Sequence, residues 1–315
     1  MRQPPYHLRP NKAVDRLTLI EAIKYIINLG VSLSDYTYYT LGGPHLEDCR
    51  LIYEFYPEIK MISVEENEDI FKRQDFHLPC GTLDIRQGQF KSFLTEYDPK
   101  DEKSIFWLDY TRFEPGNFED FMVLLGKATP YSIIKVTMRA EPRDYFNKKW
   151  KVQEFQNRFG AYLPRPETRP PATGKGFAFL VQTMLRIASQ KTLSSATPLT
   201  FQPISSFRYS DGTSMFSLTG IVCQRDQQGR VIEAFNRLQF SNLTWASPRL
   251  IDMPILSTKE RLHLQRLLPC GPGAGAILRQ SLGYLIDDDQ ESTEMKLQQY
   301  ADFHRYYPYF MKATP

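Results

Sequence analysis

For about a hundred residues after its first helical segment the chain alternates strand-like and helix-like stretches in a regular order, and this alternation restricts the fold more than any other feature. Strand signals fall at residues 36–41, 60–64, 83–86, 105–108 and 133–138, and helix signals at 46–56, 68–76, 89–94 and 118–125. Parallel strands need crossover connections, and those crossovers are right-handed, so five such steps imply a doubly wound, mostly parallel α/β sheet. Ligands of such sheets bind beyond the carboxyl ends of the strands, which is where functional residues are expected.

The flanks complete the architecture. Leu17, Ile20, Ile23 and Ile27, together with Leu19 and Ile26, give helical spacing over residues 15–29, stopped by Gly30. Residues 148–159 and 177–191 read as helices, and the proline-rich stretch 163–176 between them reads as an exposed loop. Strand-like runs at 200–209 and 215–224 enclose Asp211 and Gly212, the strongest short hairpin signal, so an antiparallel hairpin is expected to finish the sheet. Residues 231–240 read as a further strand and Gly271 to Gly275 as a flexible break. Ser257 and Glu260 form a capping box that opens a helix to Leu268, and 292–306 is a last amphipathic helix. The expected organisation is an arm and docking helix (1–30), a Rossmann-like domain (31–245) carrying a basic, proline-rich insertion (142–176), and a helical carboxyl-terminal appendage (246–315).

Several function classes fall away. The most apolar stretch, residues 17–31, contains Glu21 and Lys24 and is too short and too charged to cross a membrane. The basic amino terminus lacks an apolar region behind it, which argues against a secretory signal. Cys49, Cys80, Cys223 and Cys270 are scattered, arguing against a disulfide framework and a structural zinc site, and a cytoplasmic location is expected. The glycines at 271–275 follow a helix rather than a strand and lack the Gly-Lys-Ser/Thr ending of a phosphate loop, and no G-x-S-x-G elbow is present.

Three features mark a ligand edge. The first strand runs into Thr40, Leu41, Gly42, Gly43, Pro44 and His45, where glycines let the backbone approach a ligand. The same turn also fits a plain strand-to-helix connection with Pro44 at the helix start. The second strand ends in Glu65 and Glu66, about 20 residues beyond the glycines, where a carboxylate can hold ribose hydroxyls, and Glu65 is the preferred of the two. The fourth strand ends in Asp109 and Tyr110, a carboxylate able to take a proton and an aromatic that shapes a pocket or simply packs. Gly88 follows the third strand. Arg9, Asn11, Lys12, Asp15 and Arg16 form a polar cluster that reads first as a solvated surface and second as a substrate clamp, with Lys12 and Arg16 as its candidates.

In this order of elements and in these strand ends the chain resembles the class I S-adenosylmethionine-dependent methyltransferases. It is most similar to a bacterial group described as O-methyltransferases, on the stretches 8–16, 41–48, 61–67, 106–110, 254–260 and 267–269. The resemblance implies S-adenosylmethionine as cofactor, bound by Thr40, Gly42, Gly43, Pro44, His45, Glu65, Glu66 and Gly88, with Asp109 and Tyr110 facing the methyl donor. The first loop departs from that family's pattern: Tyr38, Tyr39 and Thr40 stand where an acidic residue is usual, and the glycines are adjacent rather than spaced.

The acceptor is left open among a small molecule, a protein and a nucleic acid. The net charge of +3 conceals an acidic stretch, residues 60–120 with 8 basic and 14 acidic side chains, and a basic one, 139–191 with 11 and 4. In the basic stretch Tyr145, Trp150, Phe155, Phe159 and Tyr162 could stack bases while the cations grip a polyanion. Two alternatives to an enzyme therefore stand beside it: a nucleic-acid-binding module, and a non-catalytic Rossmann-like sensor or assembly subunit, which the resemblance would associate with antiphage defence.

Overall fold

The computed structural model describes residues 9–146 and 148–308. They divide into a larger unit, residues 19–208 and 213–249, and a smaller unit made of the amino-terminal residues to 18, residues 209–212 and the chain from 250 onward. The first helix, α1 (Pro10–Tyr25), begins in the smaller unit and ends in the larger, where a short 3-10 turn carries it to Gly30 in a left-handed conformation.

The larger unit is the expected α/β sheet. Its elements are β1 (Tyr36–Thr40), α2 (Glu47–Phe55), β2 (Lys60–Glu65), α3 (Glu68–Phe76), β3 (Leu83–Gln87), α4 (Phe90–Glu96), β4 (Lys103–Asp109), α5 (Pro115–Lys127) and β5 (Ile133–Arg139), followed by α6 (Lys149–Phe159), α7 (Gly174–Thr192), β6 (Leu199–Ser210), β7 (Ser214–Gln224) and α8 (Gln228–Phe235). Its strands run in the order β3-β2-β1-β4-β5-β7-β6. β1 to β5 pair in parallel, and β7 joins β5 antiparallel, from Ile133 opposite Ile221 to Arg139 opposite Met215. Chain order reverses between β1 and β4, the switch point at which such sheets open a crevice for ligand.

Strand alternation sends successive side chains to opposite faces and builds two cores. One gathers Tyr38, Met61, Ile105 and Ile133 with Ile23 and Ile26 and with Val231 and Phe235 of α8. The other gathers Phe106, Leu108, Ile134 and Val136 with Phe118 and Phe121 of α5 and Met184 of α7.

Three expectations are corrected. Residues 231–240 do not form a strand: Val231 and Phe235 lie four residues apart on the buried face of α8, so the helical period prevails over the β-branched pair Val231 and Ile232. The aromatics of the basic stretch offer no stacking platform, apart from Trp150. Phe155 and Phe159 are wholly buried with ring centroids 5.0 Å apart, Tyr145 stands 5.2 Å from Phe155, and Tyr162 stacks on Phe118 at 4.7 Å. Trp150 alone of the five is exposed. Lys175 lies inside the first turn of α7, where the Thr173 hydroxyl caps the Gly176 amide, and the preceding proline-rich stretch is mostly exposed, as expected.

The third correction concerns the smaller unit. After β8 (Arg249–Ile251), which leads into it, come α9 (Thr258–Gln265), α10 (Ala274–Leu282) and α11 (Gln290–Phe303). The Ser257–Glu260 capping box is present. Gly275, expected in a flexible break, sits instead in the first turn of α10, where an added Cβ would fall 2.1 Å from the Glu294 carbonyl oxygen of α11. That glycine serves close helix packing rather than flexibility. No described helix is long and apolar enough to cross a membrane.

Candidate functional site

The strand registers set the geometry of the ligand edge. Thr40, the last residue of β1, lies opposite Ser63 of β2 and Trp107 of β4, so both neighbours overrun β1 by two residues, to Glu65 and Asp109. At roughly 3.3 Å per residue and 4.8 Å per strand, the two carboxylates rise about 6.6 Å beyond the end of β1, on either side of it. By alternation they share the face of Thr40, Ser63 and Trp107. The glycine loop of residues 41–46 therefore leaves from a notch flanked by two acids.

Below the notch this face turns from apolar to polar. Thr40, Ser63, Lys135, Thr137, Ser217 and Thr219 are all buried. Trp107 donates its indole N–H to the Thr137 hydroxyl at 3.0 Å. Lys135 donates to the Ser217 hydroxyl at 3.1 Å and stands 5.0 Å from the Trp107 ring centroid. A wholly buried lysine in a strand needs such partners, because an ammonium group without them is costly to desolvate.

The loop itself is fastened by Asp48, in the first turn of α2, which accepts hydrogen bonds from the Tyr38 and Thr40 hydroxyls, each at 2.6 Å. The Thr40 hydroxyl in turn accepts the Gly42 amide at 3.2 Å. Gly42 has φ +45, and an added Cβ would fall 2.3 Å from Ser63 Oγ and 2.6 Å from Gln74 Nε2, so the cradle beneath it is filled by the protein's own side chains. Gly43 has no atom within 4 Å of its Cβ position and leaves the edge open. Pro44 lies in a turn three residues before α2, which begins at Glu47 after a buried, left-handed Leu46. His45 is half-buried, with the Arg73 guanidinium 3.4 Å from its Nε2 and the His77 ring at 4.9 Å.

Both hydroxyls donate to the same oxygen, Oδ2, so Asp48→Asn is expected to keep one acceptor for the pair but to remove the charge that strengthens both hydrogen bonds. Tyr38 is wholly buried, so unfolding in urea should show a loss of about 1–2 kcal/mol.

Glu65 is half-buried and its Oε1 accepts the Asn67 amide at 2.8 Å, while Asn67 caps α3 through the Asp69 and Ile70 amides. The Glu66 amide also donates to the Glu65 carboxylate. Burial pushes the Glu65 carboxyl up, against the lowering effect of the Asn67 amide. Glu66 is exposed. Gly88 is exposed, donates to the Glu65 carbonyl at 3.0 Å, and has open space at its Cβ position. Asp109 is half-buried at the end of β4. Tyr110 donates its hydroxyl to Asp120 of α5 at 2.8 Å and packs against the second core, and burial pushes both ionisations up.

Thr40 to His45, Glu65, Gly88 and Asp109 thus come to one edge of the larger unit, with Glu66 beside them. Lys12 and Arg16 belong to the smaller unit. Contrary to the solvated surface expected of their cluster, Asn11, Lys12, Asp15 and Arg16 are buried. The Asp211 carboxylate at the hairpin tip accepts the Asn11 and Lys12 amides at 3.3 and 2.9 Å, and the Asn11 side chain donates to the Ser210 carbonyl. Polar residues entering a helix beside an acidic hairpin tip satisfy one another there, so burial does not strand them.

Three further side chains at the edge lie outside the expected set. Asp48 carries a sequence signal, an acid in a helical first turn shortly after a strand of hydroxyls. Lys135 carries another, a charge inside the apolar run of β5. Gln74 shares a helical stripe with Ile70 and Phe71, and a polar residue on an apolar stripe is the sign of a buried hydrogen-bonding role. Among the described residues no group of three or more His, Cys, Asp or Glu could hold a metal ion.

A family model described as "Putative O-methyltransferase" matches residues 4–315. Among solved structures, Trm1 from Pyrococcus horikoshii, solved with S-adenosyl-L-methionine, is similar at 12% identity and a TM-score of 0.47, over 70% of this chain and 57% of that one. The O-methyltransferase TomG from Streptomyces achromogenes, solved with the same cofactor, is similar at 11% identity and a TM-score of 0.37, over 71% of this chain and 92% of that one. No curated protein matches.

Proposed function

Because the chain belongs to this O-methyltransferase family, we propose that it transfers a methyl group from S-adenosylmethionine to an oxygen nucleophile at the β1–β2–β4 edge. The observation that carries the reading is the notch above β1, with Glu65 and Asp109 flanking a glycine loop at the switch point of the sheet.

The residues present fit the cofactor. Gly43 leaves room for close approach, Glu65 presents a half-buried carboxylate able to accept ribose hydroxyls, and a buried amide beneath Gly42 has a hydrogen-bonding atom to spare. S-adenosylmethionine supplies, when bound, a sulfonium methyl open to in-line attack. The chain's own contribution is positioning, worth several kcal/mol of barrier in such reactions, together with proton removal. With the cofactor held there, Asp109 would take the proton of the acceptor hydroxyl as that oxygen bonds to the methyl carbon and the methyl–sulfur bond breaks, leaving S-adenosylhomocysteine, and the carboxyl would then return its proton to solvent.

Calorimetry with S-adenosylmethionine and S-adenosylhomocysteine tests the reading. Saturable one-to-one binding is expected, and absence of binding to either at millimolar concentration overturns it. Glu65→Gln is expected to weaken S-adenosylhomocysteine about tenfold, the value of a charge-assisted hydrogen bond. A pH titration gives the sign of the effect. The ionised carboxylate is the form that accepts hydroxyls, so affinity is full above the raised Glu65 pKa and is lost as pH falls through it. The loss should begin at a higher pH than for an unperturbed glutamate and should vanish in Glu65→Gln.

A further inference from the structure

Gln74, on α3, is wholly buried, and its two amide atoms are treated unequally. Oε1 accepts the Ser63 hydroxyl at 3.0 Å, whereas Nε2, equally buried, has no hydrogen-bond partner among the described residues. That nitrogen occupies the space where a Cβ of Gly42 would lie, so the loop closes directly over it. A buried donor without an acceptor carries its full desolvation penalty, and native structures seldom retain one without a use. Here the orphan lies beneath the one loop that the proposed function gives to the cofactor.

We propose that Gln74 is a cofactor-binding residue whose Nε2 donates to the carboxylate of the amino-acid portion of S-adenosylmethionine, after a small displacement of the loop 41–46. The inference rests on the methyltransferase reading and deepens it. The choice of ligand group follows from the division of the edge. Glu65, the last residue of β2, is an acceptor and takes ribose hydroxyls. Gln74 offers a donor under the glycine loop, and a carboxylate is the strongest acceptor the cofactor has left to present. The left-handed Gly42 makes the displacement feasible, because glycine moves between backbone regions without the penalty other residues meet. Binding then removes a penalty that the free protein carries, so this contact favours the bound state on two counts.

The test uses Ser63→Ala/Gln74→Met, which removes the buried amide together with the hydroxyl that donates to its Oε1. Removing both members of a buried pair is close to neutral for folding, so the thermal midpoint of the free protein should stay the same or rise. Affinity for S-adenosylhomocysteine, read by calorimetry, should fall about 10- to 100-fold. Affinity for 5′-methylthioadenosine, which lacks the amino-acid portion, should be unchanged from the parent. Equal S-adenosylhomocysteine affinity in parent and variant overturns the inference, as does an equal loss for both ligands. If the parent binds neither ligand, it is the methyltransferase reading that fails. Should the variant not fold, hydrogen exchange on the parent decides: amides of residues 42–46 must change protection with S-adenosylhomocysteine and not with 5′-methylthioadenosine, and an equal response to both refutes the assignment.

Discussion

Asp109→Asn is expected to lower methyl transfer by roughly 10²–10⁴-fold while S-adenosylhomocysteine affinity stays within about threefold. The substitution keeps the size of the side chain at the end of β4 and removes its charge and its capacity to take a proton. The expected signature is therefore a fall in kcat with little change in cofactor binding, since a base acts in the transition state and not in the bound ground state. Incorporation of labelled methyl from S-adenosylmethionine into an extract stripped of endogenous cofactor measures it whatever the acceptor is. Tyr110→Phe is the matched control. Its hydroxyl is already committed to Asp120 at 2.8 Å, so the change should cost folding stability and leave turnover near the parent value. Full turnover in Asp109→Asn would remove Asp109 as the base, and a joint loss of affinity and turnover would reassign it to holding the cofactor.

The centre of the sheet was legible because β4 and β5 are buried on both faces and read as short apolar runs bounded by polar turns, at residues 105–108 and 133–138. Strand ends follow from such runs almost automatically, and so the places of Glu65 and Asp109 along the edge are legible without the register. What could not be read was how buried polar groups are satisfied, because that depends on partners distant in sequence. Asn11 and Lys12 look like solvated surface until Asp211, some 200 residues away, is seen to accept their amides. Lys135 is ordinary as a charge and becomes informative only when Ser217 and Trp107 are found beside it.

The misread elements share a different cause. Tyr145, Phe155 and Phe159 have the composition of a nucleic-acid platform, but their spacing of four between Phe155 and Phe159 is also that of a buried helix face, and the ring cluster around Phe113 shows which use prevails. Gly275 has the composition of a loop and the function of a helix contact. In each case residue type suggested one environment, and spacing or close packing decided for another.

Gly42→Ala is expected to cost about 2–5 kcal/mol, the sum of a left-handed backbone for a non-glycine residue and an overpacked contact. Both contributions are visible: φ is +45, and the new methyl would fall 2.3 Å from Ser63 Oγ and 2.6 Å from Gln74 Nε2. Against a total stability of about 5–15 kcal/mol this is a large fraction, and denaturant unfolding should show it plainly. Gly43→Ala separates stability from function, since no atom lies within 4 Å of its Cβ position. It should leave unfolding unchanged and weaken S-adenosylhomocysteine, because the added methyl would occupy only the open side of the loop. The two contributions at Gly42 can also be separated. Adding Ser63→Ala and Gln74→Ala to Gly42→Ala removes both colliding atoms, so the triple variant should recover the overpacking share, read against the Ser63→Ala/Gln74→Ala background, and retain about 1–2 kcal/mol of backbone cost. Recovery of the whole loss would mean that the left-handed turn is not required at all. Recovery of none would mean that the loop, rather than the side chains beneath it, sets where Gly42 must lie.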